Sequence, residues 1–219
     1  MAWVTADDRR LIAKWSSLPQ LFAHLADAAS VAMWLDTQGI PVAAPIPATD
    51  DRLLVELGDD ADGALLPPGR RFLVGVLPVV EGDLLDVDDV SHVADAGQMM
   101  ARVHEGLASY RDGVDRRRPR GLVQLVDNDF RSANILHDGS RITAVLDLEE
   151  LTYDTRVADL AKSAVLLGTR YRDWRPTSEG VRRTYVAACN DHARDPLTTA
   201  EQGELDGRIA AVLKTKGWT

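Results

Sequence analysis

Residues 126–159 read VDNDFRSANILHDGSRITAVLDLEELTYDTRVAD and carry three polar side chains at distinctive intervals. Asn134 follows Asp129 by five residues, and Asp147 follows Asn134 by thirteen, directly after the apolar run ITAVL. Amide and carboxylate oxygens are ligands that Mg²⁺ accepts while it keeps water and phosphate oxygens in its shell. Asn134 and Asp147 are therefore candidate magnesium ligands, and Asp129 is a candidate base. Together the three residues indicate phosphoryl transfer.

The bulk properties of the chain limit its class. With 219 residues, 45% of them hydrophobic, the chain can bury a core as one large domain or two small lobes. A net charge of -9 argues against nucleic-acid binding, which needs clustered Lys and Arg. The single cysteine, Cys189, is expected to be a buried or neutral thiol in a reducing compartment.

The sequence also lacks the signals of membrane insertion and secretion. It has no apolar run long enough to span a bilayer, and its N-terminus carries acids where a signal peptide has an apolar core. We therefore expect a cytoplasmic protein without a membrane partner. The pattern leaves the oligomeric state undetermined.

The first third of the chain predicts a small antiparallel sheet with one helix. AWVTADDRRLIAKWS, residues 2–16, indicates two strands around a turn at Asp7 and Asp8. Helical spacing of apolar residues then runs from Pro19 until Gly39. The apolar segments RLLVEL and RFLVGVLPVV indicate a second antiparallel pair.

Beyond Gly82 the pattern becomes mainly helical. A long helix is predicted over residues 86–110, and short strands then carry the polar cluster. After Asp159 the helical periodicity is interrupted at Pro176, Pro196 and Gly203.

The fold class predicted from these elements is α+β with two lobes. Residues 1–80 would form an N-terminal lobe, and residues 81–219 a larger helical lobe with the catalytic loop. Lys14 would lie on a strand of the first lobe, from which its ammonium can reach the α and β phosphates of a nucleotide.

The intervals between the three polar residues resemble the signature of the aminoglycoside phosphotransferase family, which has a protein-kinase-like fold. The resemblance implies that Asp129 is the catalytic base and that Asn134 and Asp147 hold Mg²⁺. It also implies that Lys14 binds the phosphates of ATP. The resemblance extends over roughly residues 9 to 190, and its spacing is most specific in the catalytic stretch.

Further positions match the family outside this triplet. Asp159, in VADLAKS, takes the place of an aspartate that stabilises the catalytic loop in the family. Asp127 stands where the family has a histidine that braces the same loop, so the brace is altered here. The segment LPVVEG is similar to the family's adenine-binding connector, which implies backbone contacts to ATP from Pro78, Val79, Val80, Glu81 and Gly82.

The N-terminal lobe departs from the family in two ways. Only thirteen residues precede Lys14, and none of them is glycine, so the lobe is expected to be shortened and to lack a Gly-rich loop. An upstream start, a naturally reduced domain and weak nucleotide binding are three explanations that stay open. The family's acidic partner of the lysine would fall at Ala28, and the adjacent Asp27 is the possible partner here.

The resulting functional prediction is an ATP- and Mg²⁺-dependent phosphotransferase that acts on a hydroxyl group of a small molecule. By resemblance the acceptor would be an aminoglycoside or another antibiotic. The acids Glu149, Glu150 and Asp154 would suit a cationic acceptor, and Trp174 is a candidate for lining its pocket. The alternative is a kinase-fold binding or interaction module with weak or no catalysis, which the missing loop and the altered Asp127 favour.

Overall fold

The computed structural model describes residues 1–6, 8–58, 69–111, 123–169 and 174–218. Within these residues the strands are β1 (Ala2–Ala6), β2 (Arg9–Ser16), β3 (Leu54–Leu57), β4 (Phe72–Pro78), β5 (Asp83–Leu84), β6 (Gln124–Val126), β7 (Ile135–His137), β8 (Ile142–Val145) and β9 (Thr152–Asp154). The α-helices are α1 (Phe22–Thr37), α2 (Val90–Ser109), α3 (Arg156–Leu166), α4 (Glu179–His192) and α5 (Thr199–Thr215). The predicted α+β class is confirmed.

The N-terminal sheet has the strand order β1-β2-β4-β3, and all its neighbouring strands are antiparallel. Asp8 adopts a left-handed backbone with φ of 59°, which suits a tight turn between β1 and β2. Asp7, the other residue of the predicted turn, lies outside the described residues, as does segment 59–68 between β3 and β4. Pairing of β2 with β4 sets Lys14 opposite Gly75, at the centre of the sheet.

Helix α1 packs into the same hydrophobic core as the C-terminal helices. Val31 and Leu35 are fully buried in this core, and Trp34 Nε1 donates a hydrogen bond to Gly106 O of α2 at 3.1 Å. A Cβ at Gly106 would lie 2.6 Å from Leu35 Cδ2 and 2.8 Å from Ile40 Cδ1. Glycine at this position therefore allows α1 to approach α2 closely.

Helix α2 forms the centre of the C-terminal lobe and packs against α4. Asp89 caps its first turn by accepting hydrogen bonds from the backbone N–H groups of Ser91 and His92. A Cβ at Gly97 would clash with the carbonyl oxygen of Tyr185 on α4. The small residue thus sets the distance between these two helices.

Two small sheets position Asp129, Asn134 and Asp147. Strand β6 pairs with β9, and β5, β7 and β8 form a three-stranded antiparallel sheet. Asp127 to Asp129 follow β6 directly, while Asp147 follows β8 after one residue. The ends of two different sheets therefore bring the predicted site residues to one region.

One sequence prediction in the helical region was wrong. Gly203, expected to interrupt the helical pattern, lies inside α5. Thr198 and Glu201 form a complete capping box that starts the helix before Gly203. A glycine on an exposed helix costs only about 1 kcal/mol, which this cap and packing of α5 against α3 can offset.

None of the helices in the described ranges combines the length and the apolar character that crossing a membrane requires.

Candidate active site

Asp129 lies in a loop whose polar side chains bind one another. Asn134 Nδ2 donates hydrogen bonds to Asp129 Oδ2 at 2.8 Å and to its backbone oxygen at 3.0 Å. Arg131 Nε donates to the same Oδ2 at 3.1 Å. These described contacts of the carboxylate all use Oδ2, which leaves Oδ1 available to accept a further hydrogen bond.

Partial burial raises the pKa of the Asp129 carboxyl above its ordinary value. The positive charge of Arg131, the hydrogen bond from Asn134 and the charge of Lys162 act in the opposite direction, whereas Asp147 adds to the increase. The carboxylate is therefore a stronger base than an exposed aspartate, because its conjugate acid holds the proton more tightly.

Asp147 has an unusual backbone conformation. Its φ of 60° and ψ of 53° lie in the left-handed region, which few residues other than glycine adopt. Leu146 N donates to Asn134 O at 2.7 Å and joins the two candidate ligand segments. Backbone strain of this kind is often maintained where a side chain must point in a particular direction.

The donor groups of Asn134 and Asp147 fit Mg²⁺. Because Asn134 Nδ2 is bound to Asp129, its amide oxygen is turned away from that carboxylate and is available as a neutral ligand. Asp147 supplies a half-exposed carboxylate. In the described part of the chain, no group of three or more His, Cys, Asp or Glu residues could hold a metal alone. A small set of protein ligands is what Mg²⁺ needs when phosphate oxygens complete its shell.

Lys14 reaches from the N-terminal sheet to this acidic group. Its Nζ lies 2.7 Å from Asp147 Oδ1 and 2.7 Å from Glu149 Oε1. Burial alone would lower the pKa of the Lys14 ammonium, but hydrogen bonds and charge attraction from the two acids outweigh it, and the pKa is raised. Lys14 therefore stays charged and is held between the lobes.

The structure does not pair Lys14 with Asp27. Among the described residues Asp27 forms no ion pair with Lys14, which is held instead by Asp147 and Glu149. A helix turns by about 100° per residue, so the one-residue offset from Ala28 rotates the Asp27 side chain away from the family's position. Buried Ala28 packs into the hydrophobic core at that position.

Asp159 binds the loop that carries Asp129 through its side chain. It is buried at the start of α3, and its Oδ1 accepts a hydrogen bond from Asn128 N at 3.0 Å. Its Oδ2 lies 3.0 Å from Nε2 of the buried His104 on α2. Lys162 Nζ donates to both Asn128 O and Asn128 Oδ1. These contacts hold the residue that precedes Asp129.

Asp127 is buried beside this network. Its Oδ1 has no hydrogen-bond partner among the described residues. Desolvation, together with the nearby charges of Asp159, Asp129 and Asp147, holds the pKa of Asp127 well above its ordinary value. The carboxyl is therefore favoured in its neutral form, unlike the basic side chain that the family has at this position.

The connector from Pro78 to Gly82 joins β4 to β5 and thus the two lobes. Thr143 Oγ1 donates a hydrogen bond to Glu81 O at 2.7 Å. The carbonyl of Glu81 is therefore already bound by the protein. An adenine-binding role for this segment rests on its other backbone groups, including those of Val79 and Val80.

Three residues at the site, Arg131, Lys162 and His104, were not predicted from the sequence. Glu149 was expected near the cleft as an acid that suits a cationic acceptor, but not as a partner of Lys14. Arg131 and Glu149 lie two positions after Asp129 and Asp147, so the short distance along the chain was an available signal. Lys162 follows Asp159 by three residues on α3, which places both on one helix face. His104 gave no such signal, because its contact with Asp159 joins residues 55 positions apart.

A family model described as the Phosphotransferase enzyme family (APH) matches residues 112–197, a range that contains Asp129, Asn134, Asp147 and Asp159. A search of curated proteins gives no significant match.

Solved structures match almost the whole chain at low sequence identity. A microcompartment-associated aminopropanol kinase has a TM-score of 0.68 and 16% identity, with 96% of this chain and 77% of that chain covered. Amicoumacin kinase hAmiN, solved with AMP-PNP, Ca²⁺ and Ami, has a TM-score of 0.62 and 14% identity, with 97% and 84% covered. An aminoglycoside phosphotransferase from Alicyclobacillus acidocaldarius has a TM-score of 0.55 and 14% identity, with 98% and 91% covered.

These matches define the fold of the chain. The chain has the fold of the protein-kinase-like phosphotransferases, and its catalytic stretch matches their family model. The resemblance recognised in the sequence is thereby confirmed, and the prediction of a phosphotransferase is supported.

Proposed function

We propose that this chain transfers the γ-phosphoryl group of ATP to a hydroxyl group of a small molecule, with Mg²⁺ as the metal. The observation that carries the proposal is the 2.7 Å contact between Lys14 Nζ and Asp147 Oδ1. It joins a cation of the sheet lobe to a candidate metal ligand of the helical lobe. Asp129, the candidate base, accepts a hydrogen bond from Asn134, the second candidate metal ligand.

In this proposal the sheet lobe and the connector bind the nucleotide, and the helical lobe holds the metal. Backbone groups of the connector bind adenine, and Lys14 neutralises charge on the α and β phosphates. Asn134 and Asp147 hold Mg²⁺, which when bound neutralises charge on the phosphate oxygens. Positioning and charge neutralisation are the main requirements of phosphoryl transfer, so these groups supply most of what the reaction needs.

Asp129 orients the acceptor and receives its proton. The hydroxyl oxygen forms a bond to the γ phosphorus as the bond from that phosphorus to the bridging oxygen of ADP breaks. The hydroxyl proton moves to Asp129 Oδ1 late in the transfer. Arg131 and Asn134 hold Oδ2 and so keep Oδ1 in place.

The relatives guide the first choice of acceptors. The names of the similar structures include aminopropanol, amicoumacin and aminoglycoside, which differ widely in size. We therefore propose a hydroxylated small molecule, with aminoglycosides and other antibiotics among the first compounds to be tested.

Nucleotide binding can be tested by thermal denaturation with and without ATP and Mg²⁺. We expect ATP with Mg²⁺ to raise the Tm of the wild-type protein, and Asp147→Ala to abolish most of this increase. Asp206→Ala, which removes an exposed acid on α5, serves as the matched control and should respond like the wild type. No increase in wild-type Tm at millimolar ATP would contradict the proposal.

A further inference from the structure

Arg131, Trp174 and Lys216 form a cluster that we name the Trp174 surface. Arg131 Cζ lies 5.4 Å from the centre of the Trp174 ring, and Lys216 Nζ also lies 5.4 Å from that centre. Both distances are within the range of cation–π attraction. Because the indole is 46% exposed, the surface is accessible to a small molecule.

This surface continues directly into the catalytic loop. Arg131 contacts Trp174 with its guanidinium and also donates from Nε to Asp129 Oδ2 at 3.1 Å. A molecule bound on the Trp174 surface therefore lies beside the candidate base. Helix α5 brings Lys216 to this place because it packs along α3, with Arg156 of α3 paired to Glu201 at the other end.

Three cationic side chains lie close to one another in this region of an acidic chain. The chain has a net charge of -9, yet Arg131, Lys162 and Lys216 all lie at or beside the catalytic loop and the Trp174 surface. Two of the nearby acids have polar partners, since Asp129 is bound by Arg131 and Asn134, and Glu149 is bound by Lys14. A cationic acceptor would therefore compete with Lys14 for Glu149.

We infer that the Trp174 surface is the acceptor subsite and that it favours a hydroxyl compound with an anionic group, such as a sugar acid. The inference rests on the proposed function and narrows its acceptor class. A polycationic acceptor would place its amines against Arg131 and Lys216, where like charges repel. A carboxylate would be attracted by both cations, and Trp174 would pack against the apolar part of the acceptor.

A second explanation for the position of Arg131 is that its guanidinium binds only the transferred phosphoryl group and not the acceptor. Arg131 touches Asp129, so a change at this residue would affect catalysis as well as acceptor binding. Lys216 separates the two explanations, because it contacts the Trp174 ring and, unlike Arg131, has no described contact with Asp129. An effect of Lys216 on the choice of acceptor points to the subsite.

The test uses glucosamine, glucose and glucuronate, which share one ring and differ in charge. Turnover and direct binding are measured for each sugar with the full chain, ATP and Mg²⁺. The wild type should prefer glucuronate, and the preference should weaken as salt is added. Lys216→Gln should raise KM and Kd for glucuronate by about two- to fivefold, as expected for one exposed charge, without a change for glucose. Lys214→Gln removes an exposed lysine from the same end of α5 and is the matched control. It should leave KM and Kd unchanged for all three sugars.

Several results would overturn the inference. These are a preference for glucosamine, an equal or absent response to all three sugars, and equal effects of Lys216→Gln and Lys214→Gln. Failure of the proposed function is recognised separately, because it would abolish stabilisation by ATP and Mg²⁺ before any acceptor is added.

Discussion

Glu149 Oε1 lies 2.7 Å from Lys14 Nζ, and this contact joins the helical lobe to the sheet lobe. In the family the lysine is expected to be held by an acid on the following helix, where this chain has Ala28. Glu149 supplies a carboxylate from the opposite lobe, two residues beyond Asp147. The backbone of Glu149 is also held in place, because His24 Nε2 of α1 lies 2.5 Å from Glu149 O.

We expect Glu149→Gln to weaken ATP binding, because Lys14 would lose one of its two anionic partners. An exposed ion pair contributes at most about 1 kcal/mol, so Kd for ATP should rise by about two- to fivefold. Calorimetric titration with ATP and Mg²⁺ measures this change. Glu150→Gln is the matched control at the adjacent exposed acid. In a double-mutant cycle with Lys14→Gln the effects should not add, and full additivity would exclude this role of Glu149.

The rate should depend on ionisation of Asp129. As pH falls, the carboxylate is protonated and can no longer accept the hydroxyl proton, so kcat/KM should decrease below a midpoint above 3.8, the ordinary pKa. Arg131 lowers the pKa of Asp129, and Arg131→Gln should therefore move the midpoint to higher pH. The pH profiles of the two proteins provide the measurement. A midpoint that stays in place or moves to lower pH would contradict the role of Arg131.

Asp127→Asn should stabilise the fold at neutral pH. Because the folded-state pKa of Asp127 is raised, the folded protein binds a proton that the unfolded chain has lost, and stability falls as pH rises from the unfolded to the folded pKa. The amide removes this penalty. Each 1 kcal/mol gained should raise Tm by roughly 2–4 °C at pH 7.5, with a smaller gain at pH 4. Thermal denaturation at both pH values tests this, and a lower Tm at pH 7.5 would show that the carboxyl itself is needed.

His104→Ala should destabilise the fold and disturb the catalytic loop. It removes the partner of the buried Asp159 Oδ2, and loss of such a partner costs about 1–3 kcal/mol. Both Tm and kcat should fall, since Asp159 also binds Asn128 N beside the base. His192→Ala is the control, because His192 is exposed at the end of α4. If the two variants had equal Tm and kcat, His104 would not support the loop.

The residues show what the sequence could and could not predict. The β1–β2 hairpin and α1 were predictable because their apolar periodicity is local. Asp129, Asn134 and Asp147 became candidate site residues because their spacing along the chain is distinctive. The pair Lys14–Glu149 joins residues 135 positions apart (149 - 14), and the pair His104–Asp159 joins residues 55 positions apart. Both pairs form only when the helices and sheets pack. The prediction that Gly203 interrupts the helix was wrong, because packing of α5 and the Thr198 cap outweigh the low helix propensity of glycine.

Turnover of ATP by the wild type and by Asp129→Asn tests the central claim most directly. Both proteins are assayed with ATP, Mg²⁺ and a panel of hydroxylated acceptors that includes aminoglycosides and sugar acids, and the phosphorylated product is measured. The wild type should phosphorylate at least one acceptor, and Asp129→Asn should lose about 100-fold or more in kcat while it still binds ATP. Equal turnover by the two proteins would contradict Asp129 as the base, and no turnover with any acceptor would favour a kinase-fold binding module.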